Sequence, residues 1–109
     1  TTDPKQLLHD IPREATRIVL AHNPDFIEEF AAKDQRVDLM ISGHTHGGQI
    51  RFPIAGAPHV SSAYGQQYVI GLNHKDDMQI YTSRGIGTVF LPTRVDCPPE
   101  IVQFTLRTA

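Results

Sequence analysis

A chain of 109 residues is long enough for one domain with a thin core, and no second domain is expected. Ten Lys and Arg against twelve Asp and Glu give a formal charge of -2 with the signs mixed; this excludes a basic field for nucleic acid and a polybasic membrane patch, so affinity for a phosphorylated ligand must come from local groups or metal. The one cysteine, Cys97, excludes an internal disulfide and reads as structural or incidental rather than as a reactive thiol; no apolar run approaches the ~20 residues of a membrane span and no leader opens the chain, which as given reads as soluble.

Asp3-Pro4 suits a helix start, and Leu7, Leu8 and Ile11 follow at helical spacing, giving a short surface helix with His9 in solvent. Arg17-Ile18-Val19-Leu20-Ala21 predicts a buried strand with His22 at its carboxyl end. Asn23-Pro24-Asp25 then opens a helix: Asn23 can cap, Pro24 fits the first position, and Asp25, Glu28 and Glu29 put negative charge in the early turns. Phe26, Ile27, Phe30 and Ala31 form its apolar stripe. The positive amino end of this helix, at Asn23, can favour a bound phosphate. After the turn Lys33-Asp34-Gln35-Arg36, a second apolar run, Val37-Asp38-Leu39-Met40-Ile41, predicts another buried strand. Strand, helix, strand predicts a βαβ unit with a parallel pair, which delivers His22 and His44 to one sheet edge.

Ser42-Gly43-His44-Thr45-His46-Gly47-Gly48-Gln49 follows that strand directly. Open α/β sheets place ligand sites in such loops. In an extended segment His44 and His46 point the same way, with Cα atoms roughly 6.5 Å apart. Two imidazoles so held can serve two metal ions ~3.5–4 Å apart, the spacing of two-metal phosphoester sites. Gly43, Gly47 and Gly48 let the backbone take positive φ and approach a metal or a phosphate oxygen. Taken alone, His22 reads as a satisfied histidine at a strand end. Its place beside a second histidine-bearing strand end gives it the reading of a third ligand.

Gln49-Ile50-Arg51-Phe52 alternates and predicts a short strand ended by Pro53. Residues 53–65 form a long loop rich in Pro, Ala, Gly and Ser, of the kind that lines sites; His59 and Tyr64 on it are substrate contacts or plain loop residues. Gln67 to Leu72, a polar turn from Asn73 to Asp77, and Met78 to Ser83 predict an antiparallel hairpin with His74 at its tip. Arg84-Gly85-Ile86-Gly87 follows; Arg84 is a candidate substrate contact or a structural arginine paired with backbone or carboxylate. Arg94 and Asp96 form a possible local pair in a proline-punctuated crossing, and Glu100 to Leu106 alternates as a final half-exposed strand.

Gly43-His44-Thr45-His46 resembles the last signature block of the calcineurin-like metallophosphoesterases, and Leu20-Ala21-His22-Asn23-Pro24-Asp25 the single-histidine block before it. Ser42 to Pro53, Tyr81 to Thr88, Leu91-Pro92 and Cys97-Pro98-Pro99-Glu100-Ile101 extend the likeness, over nearly the whole chain, to the bacterial YaeI/YkuE-like phosphodiesterase branch. The family's first three blocks, Asp-x-His, Gly-Asp-x-x-Asp and Gly-Asn-His-Asp/Glu, do not occur in the chain. Residues 1–109 therefore resemble the carboxyl-terminal half of an α/β/β/α sandwich, an α/β (α+β) domain with one βαβ unit followed by mostly antiparallel strands. The resemblance implies that His22 and His44 bind one metal and His46 the other, while the absent blocks supply the carboxylates, an asparagine and a further histidine. It also brings Arg84 toward the metal edge.

The function expected of the longer protein is hydrolysis of phosphoesters, most readily phosphodiesters, with two divalent ions, Mn²⁺, Zn²⁺ or Fe. Asn23, Arg84, Gly47 and Gly48 are candidate substrate-binding residues. The chain alone is expected to have little activity and to expose a sheet edge and an apolar face, open to self-association or to pairing with the missing half. Two other readings stand: a non-catalytic module binding one metal or a partner chain, and a mononuclear hydrolase with three histidines, for which Asp25 and Asp38 are the nearest carboxylates in sequence. Substrate, native metal and cellular location stay open.

Overall fold

The protein is described from a computed structural model over residues 3–108; the ends of the 1–109 domain reading lie outside them. Helix α1, Pro4–Leu7, starts where Asp3 accepts the main-chain N–H of Lys5 at 2.9 Å. Strand β1, Ile18–Leu20, helix α2, Phe26–Ala32, and strand β2, Leu39–Ser42, form the expected unit. The two strands pair in parallel, with Val19 opposite Met40. Asn23 caps the approach to α2, its Oδ1 accepting the N–H of Asp25 at 3.0 Å.

Strands β3, Gly71–Lys75, and β4, Met78–Thr82, complete one four-stranded sheet in the order β1-β2-β4-β3. The hairpin is antiparallel within itself and enters the sheet through β4, parallel to β2, so that Met40 lies opposite Ile80. The core is built on the α2 face of the sheet. Val19, Met40 and Ile80 pack there with Ile27 and Phe30 of α2, together with Leu8, Val37, Tyr68 and Met78. On the other face Ile18, Leu20 and Leu72 remain 40%, 79% and 56% exposed. Among the described residues no helix is long and apolar enough to cross a membrane.

Three local readings are corrected. The first hairpin strand begins at Gly71 rather than Gln67, and the turn shrinks to Asp76-Asp77, with Asp76 at φ 52. Tyr68 and Val69 are both buried, which strand alternation forbids: the Tyr68 hydroxyl donates to Glu28 at 2.5 Å, and the Val69 carbonyl accepts from Thr45. Residues 49–52 make only isolated bridges, Ile50 with Val95 and Phe52 with Gly56, because Gln49 at φ 56 is not extended. Residues 100–106 form no strand; Glu100 is turned to Arg84, and Phe104 packs edge-on against Tyr81 at 5.3 Å.

Candidate metal centre

Backbone bonds tie the carboxyl ends of β1 and β2 together. Ala21 donates to the Ile41 carbonyl at 3.1 Å, and Gly43 to the His22 carbonyl at 3.2 Å. The chain then reverses at His44, whose φ is 69, and this turns its ring onto that of His22. His44 Nδ1 lies 3.0 Å from His22 Nε2, and the rings meet edge-on with centroids 4.7 Å apart. Two imidazole nitrogens sharing one tetrahedral ion at metal–nitrogen distances of about 2.0–2.1 Å are roughly 3.3 Å apart. The observed separation fits such a pair with a shift of a few tenths of an ångström.

His46 stands apart from them. Its Nδ1 is 3.2 Å from the Gly87 carbonyl, which can only accept, so Nδ1 carries the hydrogen and in the neutral ring Nε2 keeps the lone pair. Among the described residues no three His, Cys, Asp or Glu side chains are grouped to hold an ion. The structure thus brings two of the three predicted ligands together and leaves the third pointing from a neighbouring turn.

That turn is a short 3-10 segment, His46–Gly48, and from His46 to Gln49 every residue has positive φ. Non-glycine residues held there cost on the order of 1–3 kcal/mol each, so the surroundings must enforce the shape. Thr45, buried, donates its hydroxyl to the Val69 carbonyl at 2.7 Å and accepts the Gly47 N–H at 3.2 Å. Buried Gln49 donates to the Val89 and Leu91 carbonyls at 3.1 and 2.9 Å and accepts the Val89 N–H at 2.7 Å. A Cβ on Gly47 would lie 2.6 Å from Arg84 Cγ and 2.7 Å from Cys97 Sγ, and one on Gly48 2.2 Å from Ala57 Cβ. The N–H groups of both glycines already bond to Thr45, so their contribution is close packing rather than free amides for an anion.

Arg84 takes the structural alternative. Its Nε and Nη2 donate to Glu100 at 2.9 and 2.7 Å, and its main-chain N–H bonds the same carboxylate at 2.9 Å. Burial would raise the Glu100 pKa, but the Arg84 main-chain N–H, the guanidinium and the Tyr81 hydroxyl together hold it below its ordinary value. Asn23 borders the groove beside His22 and uses its side-chain oxygen in the α2 cap. Asp25 is engaged by the Ser62 hydroxyl at 2.6 Å and the Ala63 N–H at 2.7 Å. Asp38 bonds the Arg17 main-chain N–H at 2.8 Å and pairs with Arg36 at the opposite end of the strands.

The possible pair of Arg94 with Asp96 does not form; the guanidinium goes to backbone carbonyls instead. Its Nη1 donates to the carbonyls of His46 and Cys97, each at 3.1 Å, and its Nη2 to those of Arg84 at 2.8 Å, Gly85 at 3.3 Å and Gly87. The signal available beforehand was that the glycine- and proline-rich stretch after β4 carries carbonyls with no ladder to satisfy them, which calls for a many-donor side chain.

Over 90 residues, 83% of its length, the chain is 44% identical to phosphodiesterase YaeI of Escherichia coli (strain K12), and covers 32% of that protein. It is 42% identical over 90 residues to the uncharacterized metallophosphoesterase YkuE of Bacillus subtilis (strain 168), covering 30% of it, and 40% identical over 90 residues to an uncharacterized metallophosphoesterase of Helicobacter pylori (strain ATCC 700392 / 26695), covering 23%. The chain spans less than a third of the length of these relatives, in their carboxyl-terminal part. No protein-family model and no solved structure matches it.

Proposed function

We propose, from its 40–44% identity to a phosphodiesterase and two metallophosphoesterases of three bacteria, that this chain belongs to the metallophosphoesterase family and carries the last metal-binding portion of a phosphodiesterase with a binuclear centre. The observation that carries the reading is the 3.0 Å approach of His44 Nδ1 to His22 Nε2 at two adjacent parallel strand ends. In this reading His22 and His44 hold one ion and His46 a second through Nε2, with Mn²⁺, Zn²⁺ or Fe suited to imidazole donors. When bound, such a pair polarises a phosphoryl oxygen and lowers the pKa of an attached water.

The chain's own residues keep the imidazoles presented at fixed places, and the two carboxylates nearest to them in sequence are engaged elsewhere. Asp25 and Asp38 are held by other partners, which speaks against a self-contained mononuclear hydrolase. Carboxylates and the remaining ligands then come from the rest of a longer protein, which also covers Ile18, Leu20 and Leu72. The substrate is a phosphodiester or a phosphomonoester. Hydrolysis of bis(p-nitrophenyl) phosphate tests the reading: the 109-residue chain with added Mn²⁺ should be inert. Turnover by this chain that disappears with His46→Ala contradicts the half-site.

A further inference from the structure

We propose that Arg94 is a positioning residue for His46, fixing the ring in the Nδ1–H form with Nε2 free to bind a cation; the cation clause rests on the reading above, while the positioning does not. One guanidinium holds both ends of the arrangement. Nη1 bonds the His46 carbonyl at 3.1 Å, holding a backbone at φ 51 that is uncommon for a non-glycine residue. Nη2 bonds the Gly87 carbonyl, the same oxygen that receives the His46 Nδ1 hydrogen at 3.2 Å.

Gly87 sits in a stretch after β4 that belongs to no strand, so its carbonyl is aimed by Arg94 and not by a ladder. The bonds to the Arg84, Gly85 and Cys97 carbonyls anchor the guanidinium itself. A planar fork with donors spread over its width can reach these carbonyls together, whereas a lysine ammonium cannot. Which ring nitrogen of a histidine carries the hydrogen is set by the partner of the other, and loss of such an outer bond typically weakens metal binding 10–100-fold.

The test is long-range ¹H–¹⁵N correlation of the histidine rings in the full chain, above the ordinary imidazole pKa of about 6.5. The wild type should show His46 as the Nδ1–H tautomer. Arg94→Met and Arg94→Lys should both move it to an averaged tautomer, with the His22 and His44 signals unchanged. Zn²⁺ alone, added to the same samples, should perturb the His46 signal at roughly tenfold higher concentration in the variants. An Nε2–H tautomer in the wild type overturns the proposal without any variant, and so does an unchanged tautomer in a folded Arg94→Met chain. If the tautomer follows Arg94 but His46 ignores Zn²⁺ in the wild type, positioning stands and the metal reading of His46 fails.

Discussion

Glu100 closes on Arg84 from both sides, one carboxylate oxygen taking the main-chain N–H at 2.9 Å and the other the guanidinium at 2.7 and 2.9 Å. This pair anchors the segment after β4 to the carboxyl-terminal segment, which makes no strand pairing of its own. Because the folded pKa of Glu100 lies below the ordinary glutamate value of about 4.3, its ionised form contributes stability that is complete above that value and is lost as pH falls through the folded pKa. Glu100→Gln should lower stability by about 1–2 kcal/mol at neutral pH and flatten the acid limb of a urea-midpoint profile. An acid limb unchanged by the substitution would remove Glu100 from the account.

The glycines of the histidine loop should separate sharply. Gly47→Ala and Gly48→Ala place a Cβ against Cys97 and Ala57 at positive φ, and each should cost about 2 kcal/mol or more. Gly43→Ala meets nothing within 4 Å and should cost less than ~0.5 kcal/mol. Thermal midpoints of the three variants check the order.

Tyr68 links the segment before β3 to α2. Its hydroxyl donates to Glu28, which also pairs with Lys75 at 3.0 Å, and burial, then the hydrogen bond to Glu28 and its charge, push the phenol pKa up. Tyr68→Phe keeps the ring and removes the donor. It should cost about 1 kcal/mol, read from chemical denaturation, with the sheet unchanged by circular dichroism.

The βαβ unit and the histidine positions were legible because each rests on a local pattern: two apolar runs, a capped helix between them, and a histidine just beyond each strand. The elements that escaped depend on partners far along the chain. Val69 is buried because its carbonyl meets Thr45, and Gln49 leaves extended geometry to bond residues 89 and 91. The alternation of residues 100–106 mimics a strand, yet Glu100 and Phe104 each serve a separate contact with Arg84 and Tyr81. Arg94 reaches the His46 carbonyl, 48 residues back in the chain, a relationship no window of sequence contains.

The half-site is tested most directly by counting metal per chain: load the purified 109-residue protein with Mn²⁺ or Zn²⁺, remove the excess, and measure the ion by elemental analysis. The account predicts no more than one weakly held ion after the excess is removed, lost in His22→Ala and in His44→Ala, because the contact of a cation with His46 alone lasts only while the free ion is in excess. Two tightly held ions per chain would mean that carboxylates within these residues complete the centre, contradicting the claim that the remaining ligands lie in a longer protein.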